Sequence, residues 1–165
     1  MSEINNPKFL LNNKTFPTIY GRNLLHELNI ILPEDTLIVT MEDLWENFSS
    51  FFNKNVQVHF VKNLDINTLE DDYIKIKNFN TVVGIGGGQA LDTAKFFSWK
   101  SNARLFQVPT SMSVNAAFGQ RFAARIDGNI NYIGWTIPEA VYVDFDIIKK
   151  APKIFNRSGI CEIMC

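Results

Sequence analysis

The sequence predicts an α/β fold in which a parallel β-sheet carries helices on both faces. Two observations lead to this prediction. The first is that short apolar, β-branched runs alternate with longer segments whose apolar residues recur at helical spacing. The second is the run of three glycines at residues 86–88, where a strand passes directly into a helix. The length of 165 residues and the hydrophobic share of 46% fit a domain with one buried core.

The first half of the chain shows the strand and helix alternation most plainly. The predicted elements are a strand at Thr36–Met41, a helix at Asp43–Phe52, a strand at Val56–Val61 and a helix at Asn67–Asn78. We predict Asp43 as the cap of the first helix, and Asn67 or Thr68 as the cap of the second. The second helix has acidic residues in its first turn, where the positive end of the helix dipole stabilises negative charge.

The second half continues the alternation and then interrupts it with a hairpin. Its predicted elements are a strand at Thr81–Ile85, a helix at Gln89–Lys100, a strand at Ala103–Val108, hairpin strands at Phe122–Ile126 and Asn131–Trp135, and a strand at Ala140–Asp144. Asp127-Gly128-Asn129 is the hairpin signal. A helical pattern follows Ala151-Pro152 and reaches Cys165 without a cap, so we expect the chain to stop inside a helix.

Composition and charge argue against several classes of partner. Lys and Arg number 16 against 17 Asp and Glu, a balance that indicates neither nucleic acid nor an anionic membrane as a ligand. No apolar run reaches the roughly 18–20 residues of a membrane span, and the first residues are too polar for a signal peptide. The cytoplasm is therefore the expected compartment.

The histidines and cysteines do not form a metal-binding pattern by themselves. His26 and His59 have no carboxylate or cysteine at ligand spacing, and we interpret them as packed or surface residues. Cys161 and Cys165 lie one helical turn apart without a nearby histidine. We expect both cysteines to be reduced and structural.

The glycines at the end of the third strand are the strongest indication of a binding site. Backbone N–H groups at a helix N-terminus attract anions, and glycine allows a ligand to approach them, so Gly86, Gly87 and Gly88 predict a phosphate site. The spacing is neither G-x-G-x-x-G nor the P-loop pattern. The alternative interpretation is a tight turn that lets a helix pack closely on the sheet.

Four segments together resemble the superfamily that contains dehydroquinate synthase-like proteins and iron-containing alcohol dehydrogenases, including glycerol and glycerol-1-phosphate dehydrogenases. These segments are residues 16–21, the run GGGQALDTAK at 86–95, the run VPTSMS at 108–113, and residues 138–162. The resemblance implies a Rossmann-like, dinucleotide-binding domain over residues 1–152. It also implies that residues 153–165 are the stub of a helical, metal-binding domain that is otherwise missing.

The resemblance assigns a role to each motif residue. The three glycines would bind the pyrophosphate of NAD or NADP. Asp92 and Lys95 would lie at the nicotinamide ribose and the active-site floor, with Lys95 also catalytic; their spacing alone indicates an ordinary surface ion pair. Thr110 and Ser113 would line the cofactor from the end of the next strand.

Three positions differ from the residues that many superfamily members have, or differ between the synthases and the dehydrogenases. Asn115 stands where many members have an aspartate, and we expect it to be a catalytic and substrate-contacting residue. Arg121 replaces a lysine of the synthases and would contact a substrate phosphate or carboxylate. Glu162 stands at the first metal-ligand position, where glutamate is typical of the synthases and aspartate of the dehydrogenases.

The sequence therefore predicts part of an NAD(P)- and metal-dependent dehydrogenase, with zinc or iron as the metal, acting on a small polyol or a phosphorylated polyol. A sugar-phosphate cyclase and a non-catalytic nucleotide-binding remnant are the alternatives. Glu162 alone cannot complete a catalytic metal site, so we expect these 165 residues to be inactive by themselves. The apolar end of the last helix would fray or be buried against a second copy, as in a homodimer.

Overall fold

The computed structural model describes residues 15–52, 56–76 and 78–164, with the side chains of residues 161–164 left out. Six parallel strands form one sheet in the order β1-β8-β5-β4-β2-β3, and β6 and β7 form a separate antiparallel hairpin. The strands are β1 (Thr18–Gly21), β2 (Thr36–Thr40), β3 (Gln57–Phe60), β4 (Thr81–Gly86), β5 (Arg104–Pro109), β6 (Phe122–Ile126), β7 (Asn129–Ile133) and β8 (Ala140–Asp144).

Within the described residues, six α-helices connect or flank these strands. They are α1 (Leu24–Ile31), α2 (Glu42–Phe48), α3 (Ile66–Lys75), α4 (Gly88–Ser101), α5 (Phe145–Lys150) and α6 (Lys153–Met164). Short 3₁₀ turns follow at Ser49–Phe51 and Asn115–Ala117. The α/β prediction with an inserted hairpin is confirmed.

Helices cover both faces of the sheet, as the alternation predicts. On one face, leucines of α1 and Phe48 of α2 pack against Ile38 and Val83 of the central strands. On the other face, α3 and α4 pack against Leu37 and Val39, with Phe96 and Phe97 at the centre. All residues of β2, β4 and β8 are buried, whereas the edge strands β1 and β3 are partly exposed. The apolar runs of the inner strands are therefore continuous.

The predicted N-cap residues of α2 and α3 were wrong. The cap of α3 is Asp65, whose carboxylate accepts hydrogen bonds from the N–H groups of Asn67 (3.0 Å) and Thr68 (3.4 Å), so these two residues are donors in the first turn. Helix α2 begins one residue before Asp43, with Met41 at the N-cap position, and its last turn is 3₁₀.

The hairpin and the helix after β8 also differ from the prediction. Strand β7 begins at Asn129, so the turn contains only Asp127 (φ 50°) and Gly128 (φ 78°), the left-handed pair that a two-residue hairpin turn requires. Residues Phe145–Lys150 form α5, which the sequence analysis did not predict as a helix; the carboxylate of Asp144 caps it through the N–H of Asp146 at 2.9 Å.

Candidate functional site

The candidate site lies at the carboxyl edge of the sheet, where neighbouring strands lead to opposite faces. Strand β2 is followed by α2 on one face, and its neighbour β4 is followed by α4 on the other. Connections that diverge in this way leave a crevice at the carboxyl ends of the strands, which is where open α/β sheets bind ligands. The glycine turn at residues 86–88 occupies this position.

The glycines of the 81–88 segment serve two different purposes. A Cβ on Gly84 would lie 2.7 Å from the Cβ of Ala94, and one on Gly86 (φ 154°) would lie 2.7 Å from the Cβ of Ala90. These two glycines let α4 pack closely on the sheet. Gly87 differs, because a Cβ there would meet no atom within 4 Å. Helix packing therefore explains Gly84 and Gly86, and it leaves Gly87 unexplained.

Residues 110–114, which we call the 110–114 segment, lie beside the glycine turn. The N–H of Thr110 donates to the carbonyl oxygen of Gly86 at 3.0 Å. A Cβ on Gly88 would lie 3.3 Å from Cγ2 of Val114. Thr110 is buried, and the hydroxyls of Ser111 and Ser113 are 3.1 Å apart. The structure thus brings Thr110 and Ser113 to the strand end next to Gly86–Gly88.

Asp92 and Lys95 form a buried ion pair on α4, so the interpretation as a surface pair was wrong. The Lys95 Nζ atom is 3.1 Å from Oδ1 of Asp92 and 3.0 Å from the carbonyl oxygen of Arg121, and the Lys95 side chain is 1% exposed. Burial raises the pKa of the Asp92 carboxyl and lowers the pKa of the Lys95 ammonium, and their mutual attraction only partly offsets both shifts.

A cavity of about 730 Å³ opens over this ion pair. Its floor and polar wall include Asp92, Lys95, Gln89, Asn115 and Arg121. The lining also has a mainly apolar part, which we call the apolar wall, from the hairpin region, the residue after the 3₁₀ turn and the segment before α3. Its members are Leu64, Phe118, Tyr132 and Trp135. The volume suits a small polar molecule or one end of a larger one.

The structure brings five of the ten predicted site residues together in this cavity. Gly88, Asp92, Lys95, Asn115 and Arg121 line it. The other four predicted contacts lie along the glycine turn and the 110–114 segment instead of on the cavity surface; they are Gly86, Gly87, Thr110 and Ser113. Arg121 contributes in two ways, since its backbone holds Lys95 and its exposed side chain lies at the cavity.

The apolar wall was missed by the sequence analysis. Tyr132 and Trp135 belong to the hairpin region, which the backbone N–H of Arg125 ties to the carbonyl oxygen of Leu64 at 2.7 Å. Tyr132 is 65% exposed on the hairpin strand β7. The sequence carried no signal for this wall, because it depends on how the hairpin lies over the sheet.

The predicted metal ligand is only partly described. Glu162 lies in α6, and its side chain is outside the described part of the chain, as are the side chain of Cys161 and the whole of Cys165. Among the described side chains, no group of three or more His, Cys, Asp or Glu residues could hold a metal ion. His26 is exposed on α1, and His59 packs edge-on against Phe97, 3.6 Å from Asp72. Both histidines therefore fit the packed or surface interpretation.

No described helix is long and apolar enough to cross a membrane.

Comparison with known proteins identifies relatives of this chain. It is 28% identical over 154 residues to a glycerol-1-phosphate dehydrogenase [NAD(P)+] of Sulfolobus acidocaldarius, covering 87% of this chain and 42% of the relative. It is 32% identical over 108 residues to the Nitrosopumilus maritimus protein of the same name, covering 64% of this chain and 30% of the relative. The chain spans less than half the length of these relatives.

Solved structures share the fold. A probable glycerol dehydrogenase from Sinorhizobium meliloti superposes with a TM-score of 0.80 at 21% identity, covering 92% of this chain and 46% of that one. A 2-deoxy-scyllo-inosose synthase, solved with carbaglucose-6-phosphate, NAD+ and Co2+, superposes with a TM-score of 0.74 at 16% identity, covering 92% and 48%. Residues 18–152 match the family model of iron-containing alcohol dehydrogenases. This chain therefore belongs to the iron-containing alcohol dehydrogenase family.

Proposed function

We propose that this chain is the dinucleotide-binding part of an NAD(P)-dependent dehydrogenase acting on a small polyol or polyol phosphate. The observation that carries the proposal is the open space at Gly87, at the N-terminus of the 14-residue helix α4. Of the three glycines at this turn, Gly87 alone has no atom within 4 Å of an added Cβ, so a ligand can approach the backbone there. This arrangement suits the pyrophosphate of NAD or NADP.

A substitution at Gly87 tests the proposal without disturbing the fold. The backbone of Gly87 (φ −86°, ψ −168°) is one that any residue adopts, and an added Cβ meets no protein atom. We expect Gly87→Ala to leave thermal stability nearly unchanged and Gly87→Val to weaken NADH binding by more than about tenfold, or roughly 1.4 kcal/mol, because the side chain occupies the path of the pyrophosphate.

Calorimetric titration of NADH into each folded variant provides the measurement. Gly128→Ala is the control, since its Cβ also meets no atom within 4 Å but lies on the hairpin turn. Its positive φ of 78° predicts some loss of stability and no loss of affinity. Equal NADH affinity of Gly87→Val and the natural protein would remove this turn from the binding site.

Lys95 is the residue we propose to act at the reacting end of the site. Asp92 and the carbonyl oxygen of Arg121 use two of its three N–H donors, so the third is available to an oxygen atom of a ligand in the cavity. The dinucleotide, when bound, supplies the nicotinamide ring that accepts or gives hydride. Lys95 would orient and polarise an oxygen atom beside that ring.

Substrate selection is the role we propose for Asn115 and Arg121. Both line the cavity, and the amide of Asn115 adds no negative charge while Arg121 adds a positive one. We therefore favour an anionic, phosphorylated substrate over a neutral polyol. Titration of the NADH complex with glycerol 1-phosphate and with glycerol should show tighter binding of the phosphate.

The matched variants for this test are Arg121→Gln and Arg104→Gln. Arg104 begins β5 at the opposite edge of the sheet and pairs with Glu139 at 3.7 Å. Arg121→Gln should remove the preference for the phosphate, and Arg104→Gln should keep it. Equal binding of the two compounds by the natural protein would contradict the proposed role of Arg121.

The metal, the domain division and the cyclase alternative remain proposals for the whole protein. We propose residues 1–152 as the dinucleotide-binding domain and Glu162, in the segment 153–165, as one ligand of a zinc or iron ion. The described side chains do not provide the rest of a ligand set, so no step of the mechanism is assigned to the metal. Accumulation of NADH during turnover distinguishes a dehydrogenase from a cyclase that regenerates NAD.

A further inference from the structure

Helix α6 contacts the middle of the 110–114 segment, whose two ends contact the glycine turn. The Oδ1 atom of Asn156 accepts a hydrogen bond from the backbone N–H of Met112 at 3.1 Å. At the ends of the same segment, Thr110 is bonded to Gly86, and Val114 lies beside Gly88. The segment thus has contacts both with α6 and with the turn that we propose to bind the dinucleotide.

The side-chain amide of Asn156 has only one orientation that satisfies both of its contacts. Its Nδ2 atom donates to the carbonyl oxygen of Ile148 in α5 at 2.9 Å, while Oδ1 accepts from Met112. Rotating the amide would place donor against donor and acceptor against acceptor. Asn156 therefore links the 110–114 segment to the end of α5, although it lies more than 40 residues away from that segment in the chain.

Gly159 permits this contact. A Cβ at Gly159 would lie 1.7 Å from the backbone carbonyl oxygen of Met112, a distance that no real contact tolerates. The neighbouring Ser158 is exposed, and its hydroxyl donates to the carbonyl oxygen of Phe155 in the same helix at 2.8 Å. Helix α6 thus approaches the segment through the glycine and the asparagine, one helical turn apart.

We propose that Asn156 is a positioning residue for dinucleotide binding, and that Gly159 lets it act by allowing α6 to reach Met112. Together they fix the 110–114 segment beside the glycine turn. The inference rests on the proposed function, because it assigns a role in binding to the segment that contains Thr110 and Ser113. By linkage, a bound dinucleotide also strengthens the contact between α6 and Met112.

Four variants of the 165-residue chain separate positioning from stability. Asn156→Leu removes both hydrogen bonds, whereas Asn156→Asp keeps an acceptor for the Met112 N–H. Gly159→Ala introduces the clash, even though alanine favours a helix over glycine. Ser158→Ala, next to it, is the matched control.

Two measurements are made on each variant: hydrogen exchange of the Met112 amide, and NADH affinity by calorimetry. We expect Asn156→Leu and Gly159→Ala to speed exchange at Met112 and to weaken NADH binding about fivefold, because the 110–114 segment loses its contact with α6. Asn156→Asp keeps the acceptor for the Met112 N–H but places an oxygen against the Ile148 carbonyl, so both of its values should lie between those of Asn156→Leu and the natural protein. Ser158→Ala should match the natural protein. NADH should slow exchange at Met112 in the natural protein.

The outcomes distinguish the two proposals. Unchanged NADH affinity in both Asn156→Leu and Gly159→Ala, with the natural chain binding NADH, would overturn the positioning role. Failure of the natural chain to bind NADH would instead overturn the proposed function. The positioning role would be overturned together with it, because it is a role in dinucleotide binding.

Discussion

At the scale of single residues, Asp92 and Lys95 form a buried ion pair, and burial costs each of them the hydration of its charge. Both groups leave water, and burial raises the pKa of Asp92 and lowers the pKa of Lys95. A buried ion pair with shifted pKa values that also lines a cavity is a candidate for a functional role.

Removing one member of this pair should destabilise the protein strongly. We expect Lys95→Met to lower the free energy of unfolding by about 3–5 kcal/mol, because Asp92 stays buried without a cation, and Lys95→Met with Asp92→Asn to recover most of the loss. Urea denaturation measures both. Lys75→Met is the control: it removes the same i, i+3 pairing from Asp72 on α3, but Lys75 is 71% exposed, so the change should stay within about 0.5 kcal/mol.

The pair also predicts a pH dependence. Because burial raises the pKa of Asp92, the folded protein takes up this proton at a higher pH than the unfolded chain does. The natural protein should therefore gain stability relative to the double variant as pH falls from neutral toward the ordinary range of an aspartate. A stability difference that stays constant between pH 7 and pH 4.5 would contradict the raised pKa.

At the scale of elements, Asp144 joins two helices to the end of β8. Its Oδ2 atom accepts from the N–H groups of Leu24 (2.7 Å) and Leu25 (3.4 Å), and its Oδ1 atom accepts from Asp146 (2.9 Å). The side chain is buried, so its removal would leave N–H groups of α1 and α5 without their acceptor.

This geometry predicts a larger effect for Asp144 than for an ordinary helix cap. We expect Asp144→Ala to lower the free energy of unfolding by about 2–4 kcal/mol, since two buried helix starts lose their cap. Asp65→Ala, which removes the more exposed cap of α3, should cost about 1 kcal/mol. Chemical denaturation measures the free energy of unfolding of both variants. Equal losses would show that Asp144, by capping two helices, stabilises the protein no more than a cap of one helix does.

The caps also show which parts of the fold were predictable from sequence. Apolar periodicity placed the sheet and the helices, because burial of continuous strands leaves a local pattern. The cap Asp65 was missed because several polar residues near it compete for the same role, and only the backbone geometry selects one of them. Helix α5 was missed because its six residues are too short for a periodic pattern, and Asp144, within β8, starts it.

The site was predictable to the extent that it is continuous in sequence. The glycine turn and the 110–114 segment each end a predicted strand, so the parallel sheet brings them together. Trp135 on the cavity wall and the contact of Asn156 with Met112 were not predictable, because they depend on how the hairpin and α6 lie over the sheet.

At the scale of the whole molecule, the described residues form a sheet with a core on each face, and the candidate site uses one edge of it. Folding and dinucleotide binding should therefore both be measurable in the 165-residue chain. Turnover is a separate matter, because the described side chains hold no set of metal ligands.

We expect NADH to stabilise this chain against heat, because a ligand that binds only the folded state adds free energy in proportion to ln(1 + [L]/Kd). At a hundredfold excess over Kd the gain is about 2.7 kcal/mol, which for a domain of this size raises Tm by roughly 5–10 °C. Gly87→Val should show the natural Tm without NADH and a much smaller rise with it. We further expect no turnover of glycerol 1-phosphate or glycerol by the chain alone, with or without zinc. An absent Tm shift would contradict dinucleotide binding, and tight zinc binding with turnover would show that a complete metal site lies within these 165 residues.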